Sequence, residues 1–368
     1  MQTWENLANS DFTTFWLAGK SVVMGYDAYD TESWLYWRHY FGATWDFNPI
    51  FIYPLPLRIL LTPIGLLPLP QSYILWLVIS QVLILFCVFR LYTWLRKSDN
   101  TTILLFFGVG IYLFRPTILS LRYGQFSPWL MLILTGAILL WEKERWFWGG
   151  FVLAFLMVKP QLGVLFILIA LLWLVFRKVY RGMSGLAAGG VFLVILGVVQ
   201  NPNWVMVFLT TGNDKLQNTF AYGPNVWGVA RLLTNGQAIL LVGIMLTLAV
   251  VGFLNWYVRK YKASLSITTI MGLGTPVVLM TTPYIWGYDQ IFLLFPLTLI
   301  AALWAQRVKS ILWHSFVFIF AAVISFLLYF PTQVFNFDYF SFFLPLVILI
   351  VLAWLLKRQD WKYRETEQ

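Results

Sequence analysis

Charge, cysteine and histidine are scarce in this sequence. Asp, Glu, Lys and Arg make up 11% of its 368 residues, against about 25% in a soluble globular domain, and that excludes a chain with a fully water-facing surface. The single cysteine, Cys87, can close no disulfide within the chain and excludes zinc-finger, iron–sulfur and thiol-redox readings. The two histidines, His39 and His314, belong to no His/Cys grouping, which argues against a His-built metal site. No internal repeat, low-complexity segment or soluble domain stands out. What is abundant is apolar: 60% of residues are hydrophobic and 19% aromatic, with a mean hydropathy of +0.76. Apolar runs long enough for a ~30 Å hydrocarbon core recur from Ser72 to the C-terminus. The expected fold class is therefore an all-α polytopic membrane protein.

A net charge of +10 and a pI near 9.6 would suit nucleic acid, but the positions of the basic residues point elsewhere. They gather between apolar runs at Arg96-Lys97, Lys143/Arg145, Arg177-Lys178/Arg181, Arg259-Lys260/Lys262, Arg307/Lys309, and Lys357-Arg358 with Lys362 and Arg364. The positive-inside rule places these clusters in the cytoplasm, and no cationic stripe is left over for nucleic acid. About eleven spans follow, near 72–95, 101–119, 127–141, 146–158, 161–176, 183–199, 237–258, 265–281, 291–305, 311–330 and 341–356. Several fall short of the usual ~20 residues, and the pair around Lys159-Pro160 reads as a broken helical hairpin. The domain reading is an external juxtamembrane excursion over 1–71, a membrane domain over 72–356 with a second external loop at 200–236, and a cytoplasmic basic tail over 357–368.

Met1–Ser10 carries neither a signal peptide nor an apolar span. Between Pro49 and Pro70, the prolines 54, 56, 63 and 68 interrupt an apolar stretch that also holds Arg58. That density predicts helical pieces lying on or dipping into the membrane surface. Asp27, Asp30, Glu32 and Asp46 match no calcium-loop spacing and read as a solvated acidic loop rather than a cation site. Four polar constellations fall on the external side of this topology. They are Asp11-Phe12 with the stretch to Tyr29; Tyr53-Pro54-Leu55-Pro56; Arg122-Tyr123-Gly124-Gln125-Phe126 with Lys159-Pro160-Gln161; and Thr282-Pro283-Tyr284-Ile285-Trp286-Gly287-Tyr288-Asp289.

The order Asp-Phe, Gly-x-x-x-Tyr, Tyr-Pro-x-Pro, Gly-Gln, Lys-Pro and Pro-x-x-Trp-x-x-Asp resembles glycosyltransferase family 87 over roughly Asp11 to Pro296. The resemblance implies a GT-C transferase that takes a sugar, often mannose, from a polyprenyl-phosphate donor and passes it to a glycan or lipid acceptor on the external face. Membrane lipids are the expected surroundings, nucleic acid is not an expected partner, and no cofactor or metal ligand set is assigned. Two positions depart from the family pattern. Asp289 stands where a histidine is usual, and the helix that precedes the Asp-Phe motif is not in Met1–Ser10. The expectation is an in-frame apolar stretch of ~20 residues with a basic flank encoded upstream of Met1.

Transfer of this kind needs a base for the acceptor hydroxyl and cations for the departing lipid phosphate. Asp11 is the candidate base, against the plainer reading of a cap for the helix that starts at Phe12. Lys159 has no carboxylate near it in sequence, and an unpaired ammonium at membrane depth costs about 2.5–3.5 kcal/mol. An anion such as the donor phosphate would offset that, with Arg122 or Arg115 as a second contact. The alternative is that these cations snorkel to headgroups, the better reading for Arg115. Gln125 and Asp289 offer hydrogen bonds to sugar hydroxyls, and Tyr53, Trp286 and Tyr288 complete the sugar- or acceptor-binding set. For the aromatics, an interfacial belt is the competing account. Two other functions stay open, a lipid-linked sugar flippase or transporter and an inactive truncated homologue. Polar motifs gathered at one face, without two related halves, favour surface chemistry over alternating access.

Overall fold

The computed structural model describes residues 7–44, 51–96, 102–210, 220–261, 266–305, 311–335 and 337–366, and among them every regular element is helical. Lys97, Lys262, Arg307 and Lys309 of the basic clusters, with Asp46 and Pro49 of the first excursion, lie outside the described residues. The chain is an all-helical polytopic membrane protein.

Three short helices come first: α1 (Asp11–Met24), α2 (Thr31–Tyr40) and α3 (Pro56–Gly65). Ser10 stands at the N-cap position of α1, and Gly25 ends the helix in the left-handed region at φ 75°. Asp30 caps α2, accepting from the Ser33 amide at 3.4 Å and its hydroxyl at 2.5 Å. Pro56 sits in the first turn of α3, where a missing N–H leaves no bond unmade. α1 lies on α3 at Gly19 and Gly65, where a Cβ on either residue would overlap the other helix's backbone. Arg58 of α3 locks the pair, its Nε donating to Ser21 Oγ at 2.8 Å and its Nη2 to the Tyr26 carbonyl at 2.7 Å. Within the proline-rich stretch, Pro56–Gly65 is thus a helix packed on α1, and Asp11 is a helical residue.

The apolar helices follow: α4 (Leu69–Arg96), α5 (Thr102–Leu113), α6 (Arg115–Arg122), α7 (Ser127–Glu142), α8 (Trp146–Ala154), α9 (Pro160–Phe176), α10 (Tyr180–Val198), α11 (Val226–Thr234), α12 (Ile239–Tyr261), α13 (Ile267–Thr281), α14 (Leu294–Trp304), α15 (Ile311–Tyr329), α16 (Thr332–Phe335) and α17 (Phe343–Thr366). Short 3-10 segments, Phe155–Val158, Gly287–Leu293 and Tyr339–Phe342, lead towards α9, α14 and α17. The described parts of the stretches expected to span the membrane are largely helical, but among the described residues only five helices are long and apolar enough to cross alone: Leu69–Arg96, Tyr180–Val198, Ile239–Tyr261, Gly287–Trp304 and Tyr339–Lys357. The bent pair α6 and α7, turned by 120°, makes a sixth if counted as one, and Trp146–Val158, Pro160–Phe176, Ile267–Thr281 and Ser315–Tyr329 are shorter. The stretch 101–119 is not one helix. It breaks at Phe114, because Pro116 has no N–H to continue the ladder and its ring crowds the preceding turn.

Small residues set the packing, as they do where lipid tails remove the usual hydrophobic drive between helices. Gly182, Gly185 and Gly189 form one stripe of α10 laid on α8, and a Cβ on Gly185 would overlap the Phe147 carbonyl. The bundle has two distinct ends. Ser127 opens α7 and Glu142 closes it about 22 Å away at 1.5 Å per residue, and Glu142 accepts from the Thr268 hydroxyl. Lys143, Arg145, Arg177 and Lys178 adjoin the Glu142 end of α7 or the Phe176 end of α9. Lys159, Gln125 and the turn after α13 occupy the opposite end.

Candidate active site

Two chain segments fix Asp11. It is the first residue of α1, where the helix dipole favours an anion, and the Phe12 amide donates to the Tyr123 carbonyl at 3.2 Å. That contact brings in the turn between α6 and α7. Gly124 adopts φ +62°, and a Cβ there would stand 2.6 Å from Phe12 Cβ, so the turn needs glycine for conformation and for space. The Trp76 indole donates to the Gly124 carbonyl at 3.0 Å, and the Gln125 amide to the Ser120 carbonyl at 2.8 Å. So held, buried Gln125 donates its Nε2 to Asp11 Oδ2. Ser10, not Asp11, holds the N-cap position of α1. Gly124→Ala will lower the thermal stability of detergent-purified protein by at least about 1–2 kcal/mol from the left-handed backbone alone, read as a drop in melting temperature.

The second half of the site is a buried ion pair. Lys159 separates the 3-10 turn Phe155–Val158 from α9, whose first residue is Pro160. Its ammonium lies 2.5 Å from Asp289 Oδ1, with side-chain exposures of 4% and 1%. The Ser127 hydroxyl donates to the same oxygen at 2.8 Å, and Asp289 Oδ2 accepts from the Trp286 amide at 3.3 Å. Lys159 thus has a carboxylate partner from a distant segment, and Asp289 is an acceptor for protein groups before any sugar arrives. The Tyr288 ring lies 5.2 Å from the ammonium.

Tyrosines join the two halves. Tyr53 packs its ring 5.2 Å from Phe15 of α1, and its backbone carbonyl accepts from the Tyr29 hydroxyl at 2.8 Å. Burial pushes the Tyr53 phenol well above its ordinary range, and the charges of Asp11 and Asp289 both add to the effect. Tyr284 is pushed up to about 12, first by burial, with the same two carboxylates adding and a hydrogen bond with Trp286 opposing. Both phenols therefore stay protonated donors near neutral pH. Asp11, Tyr53, Gln125, Lys159, Tyr288 and Asp289 are brought together, and Trp286 adjoins them through Tyr284, ring centroids 6.2 Å apart.

Other candidates stand differently. Arg122 is exposed, its guanidinium 5.9 Å from the Tyr123 ring, which is in turn 6.3 Å from the Tyr288 ring. Arg115 does not snorkel. It is 6% exposed, pairs with Asp338 at 2.7 Å and lies 3.7 Å over the Tyr329 ring. Asp30 is committed to capping α2 and Asp27 accepts from the Tyr29 amide at 2.9 Å. Among the described residues no three His, Cys, Asp or Glu side chains stand together. Sequence reasoning missed Ser127, Asn225 and Asp338. Asn225 Nδ2 donates to the carbonyls of Thr282 at 3.0 Å and Pro283 at 3.2 Å, holding the turn that leads to Asp289. It also caps α11, its Oδ1 accepting from Gly228 N at 2.8 Å.

The family model for glycosyltransferase family 87 matches residues 51–283. The chain belongs to that family. Membership makes it a glycosyltransferase, which takes a sugar donor and an acceptor. Tyr53, Gln125, Ser127 and Lys159 lie within the matched stretch, whereas Asp11 and the Tyr284–Asp289 segment flank it and join it through the contacts above. No curated protein and no solved structure matches the chain.

Proposed function

We propose that this family 87 glycosyltransferase moves a hexose, mannose in preference, or a pentose from a polyprenyl-phosphate donor to a glycan or lipid acceptor, with the site on the external face of the cell membrane. The observation that carries the reading is the meeting of Asp11, Gln125, Tyr53, Lys159 and Asp289 at one end of the bundle. In this reading the acceptor hydroxyl gives its proton to Asp11 as its oxygen bonds to the anomeric carbon. The bond from that carbon to the phosphate oxygen breaks, and the lipid phosphate leaves with the electron pair, inverting the sugar. Lys159 keeps N–H groups beyond the one on Asp289 for a phosphate oxygen, and exposed Arg122 adds a second cation. Gln125, Tyr53, Trp286, Tyr288 and Asp289 hold the sugar and the acceptor.

Two further features support this account. The basic residues adjoining Glu142 and Phe176 lie at the end opposite the site, and under the positive-inside rule that supports a site on the external face, the C-terminus being read as cytoplasmic. An open, mostly apolar groove of about 930 Å³, lined by Phe220, residues 236–241 and Pro283 with Gln237 as its polar member, lies one residue from Tyr284 and suits an isoprenoid chain. The helices α1–α3 then form the external module over 1–71 that carries the base, set on the GT-C membrane domain over 72–356, with 357–368 as the cytoplasmic tail.

The test is transfer of labelled mannose, glucose and arabinose from their polyprenyl phosphates by membranes containing the protein. Label in a glycan or lipid product from at least one donor is expected. Labelled donor crossing sealed vesicles with no product formed would instead identify a flippase, and neither outcome an inactive homologue.

A further inference from the structure

We infer that the Arg115–Asp338 ion pair is a positioning device, a strut that sets where the turn bearing Asp289 stands against Lys159. The inference rests on the transferase reading for its kinetic arm only. Asp338 precedes the 3-10 turn Tyr339–Phe342, far outside the family-matched stretch and every motif in the sequence. Its carboxylate receives Arg115 Nη1 at 2.7 Å and the Ser341 hydroxyl. Arg115 is fixed in turn: Nη1 also lies 3.3 Å from Ser341 Oγ, its backbone amide donates to Ser325 Oγ at 3.2 Å, and its guanidinium rests on Tyr329.

Both ends of the Asp289 turn bear on this cluster. A Cβ at Gly287 would stand 2.7 Å from Asp338 Oδ2 and 3.5 Å from Arg115 Nη1, so the backbone at Gly287 is seated directly against the pair. On the other side, Gln290 Nε2 donates to the Ser341 carbonyl at 2.9 Å. Asp289 lies between the two contacts, and its Oδ1 receives Lys159 and Ser127. Arg115 also opens α6, the two-turn helix that ends at the Gln125 turn, so one rigid piece runs from the strut to the partner of Asp11. A buried ion pair is poor evidence of stabilisation, because apolar residues of similar volume pack there as well or better. What it offers is directional contact, and here the direction leads to Gly287.

The experiment compares the wild type with Arg115→Met/Asp338→Leu, which removes both charges together, and with Gly287→Ala, which keeps both and pushes the turn off them. All three are purified in detergent, and kcat, donor KM and the pH dependence of kcat are measured for transfer. 3-Fluorotyrosine in place of Tyr288 reports the turn by ¹⁹F NMR without any need for activity. Both variants should stay folded, lose about 10- to 100-fold in kcat with KM nearly unchanged, as misplacement of a site by about an ångström does, show a displaced pH profile, and move the ¹⁹F resonance. Folded variants with wild-type kcat, pH profile and ¹⁹F shift would overturn the strut. If the wild type transfers no sugar, the functional reading fails instead, and the ¹⁹F shift alone decides the inference. A variant that does not fold is replaced by Gln290→Leu, which cuts the second contact.

Discussion

Asp11→Asn will lower sugar transfer by about 10²- to 10⁴-fold, the usual worth of a positioned general base, with expression and donor binding close to wild type. Asparagine keeps the shape of the side chain, and its amide oxygen can still accept from Gln125 Nε2. It cannot take a proton from an attacking hydroxyl. Structure should survive because Ser10, not Asp11, holds the N-cap position of α1, and the helix is fixed by buried Phe12, Phe15, Trp16 and Leu17. Losing the charge from the first turn removes a helix-dipole contribution of about 0.3–1 kcal/mol, too little to unfold a buried helix. Single-turnover measurements at saturating donor separate the two effects. Wild-type turnover in Asp11→Asn would remove this carboxylate from the mechanism.

Lys159→Met will be destabilising by about 3–5 kcal/mol, because it leaves the Asp289 carboxylate buried without its cation. The sequence by itself suggests the reverse, since a methionine there relieves an apolar setting of a charge. Asp289→Leu should cost about as much, by stranding the ammonium. The double variant Lys159→Met/Asp289→Leu should regain most of the lost stability, as neighbours in one network do, but no activity. Thermal unfolding of the four proteins in one detergent closes the cycle. A Lys159→Met protein as stable as the wild type would show that the pair does not hold this end of the bundle. Recovered transfer in the double variant would exclude both residues from the chemistry.

The helices α4, α12 and α17 were legible because a segment surrounded by lipid must be apolar along its length and satisfy its own backbone, a condition written locally in composition. The same held for most motif residues, since Asp11, Tyr53, Gln125, Lys159 and Asp289 each stand beside a turn or proline where a polar side chain in an apolar chain is conspicuous. The break at Phe114 was local too, and Pro116 announced it. Partnership was not legible. Lys159 looked unpaired because its carboxylate is 130 residues away, and Arg115 looked like a snorkelling cation because Asp338 is 223 residues away. The side chain that Asp11 meets, Gln125, is likewise 114 residues on. The sequence by itself determined that the chain is an all-helical polytopic membrane protein and which polar residues stand out in its apolar stretches. Only the tertiary structure decided which charges neutralise one another, because an ion pair depends on distance in space, and helix packing brings together residues whose separation along the chain carries no record of it.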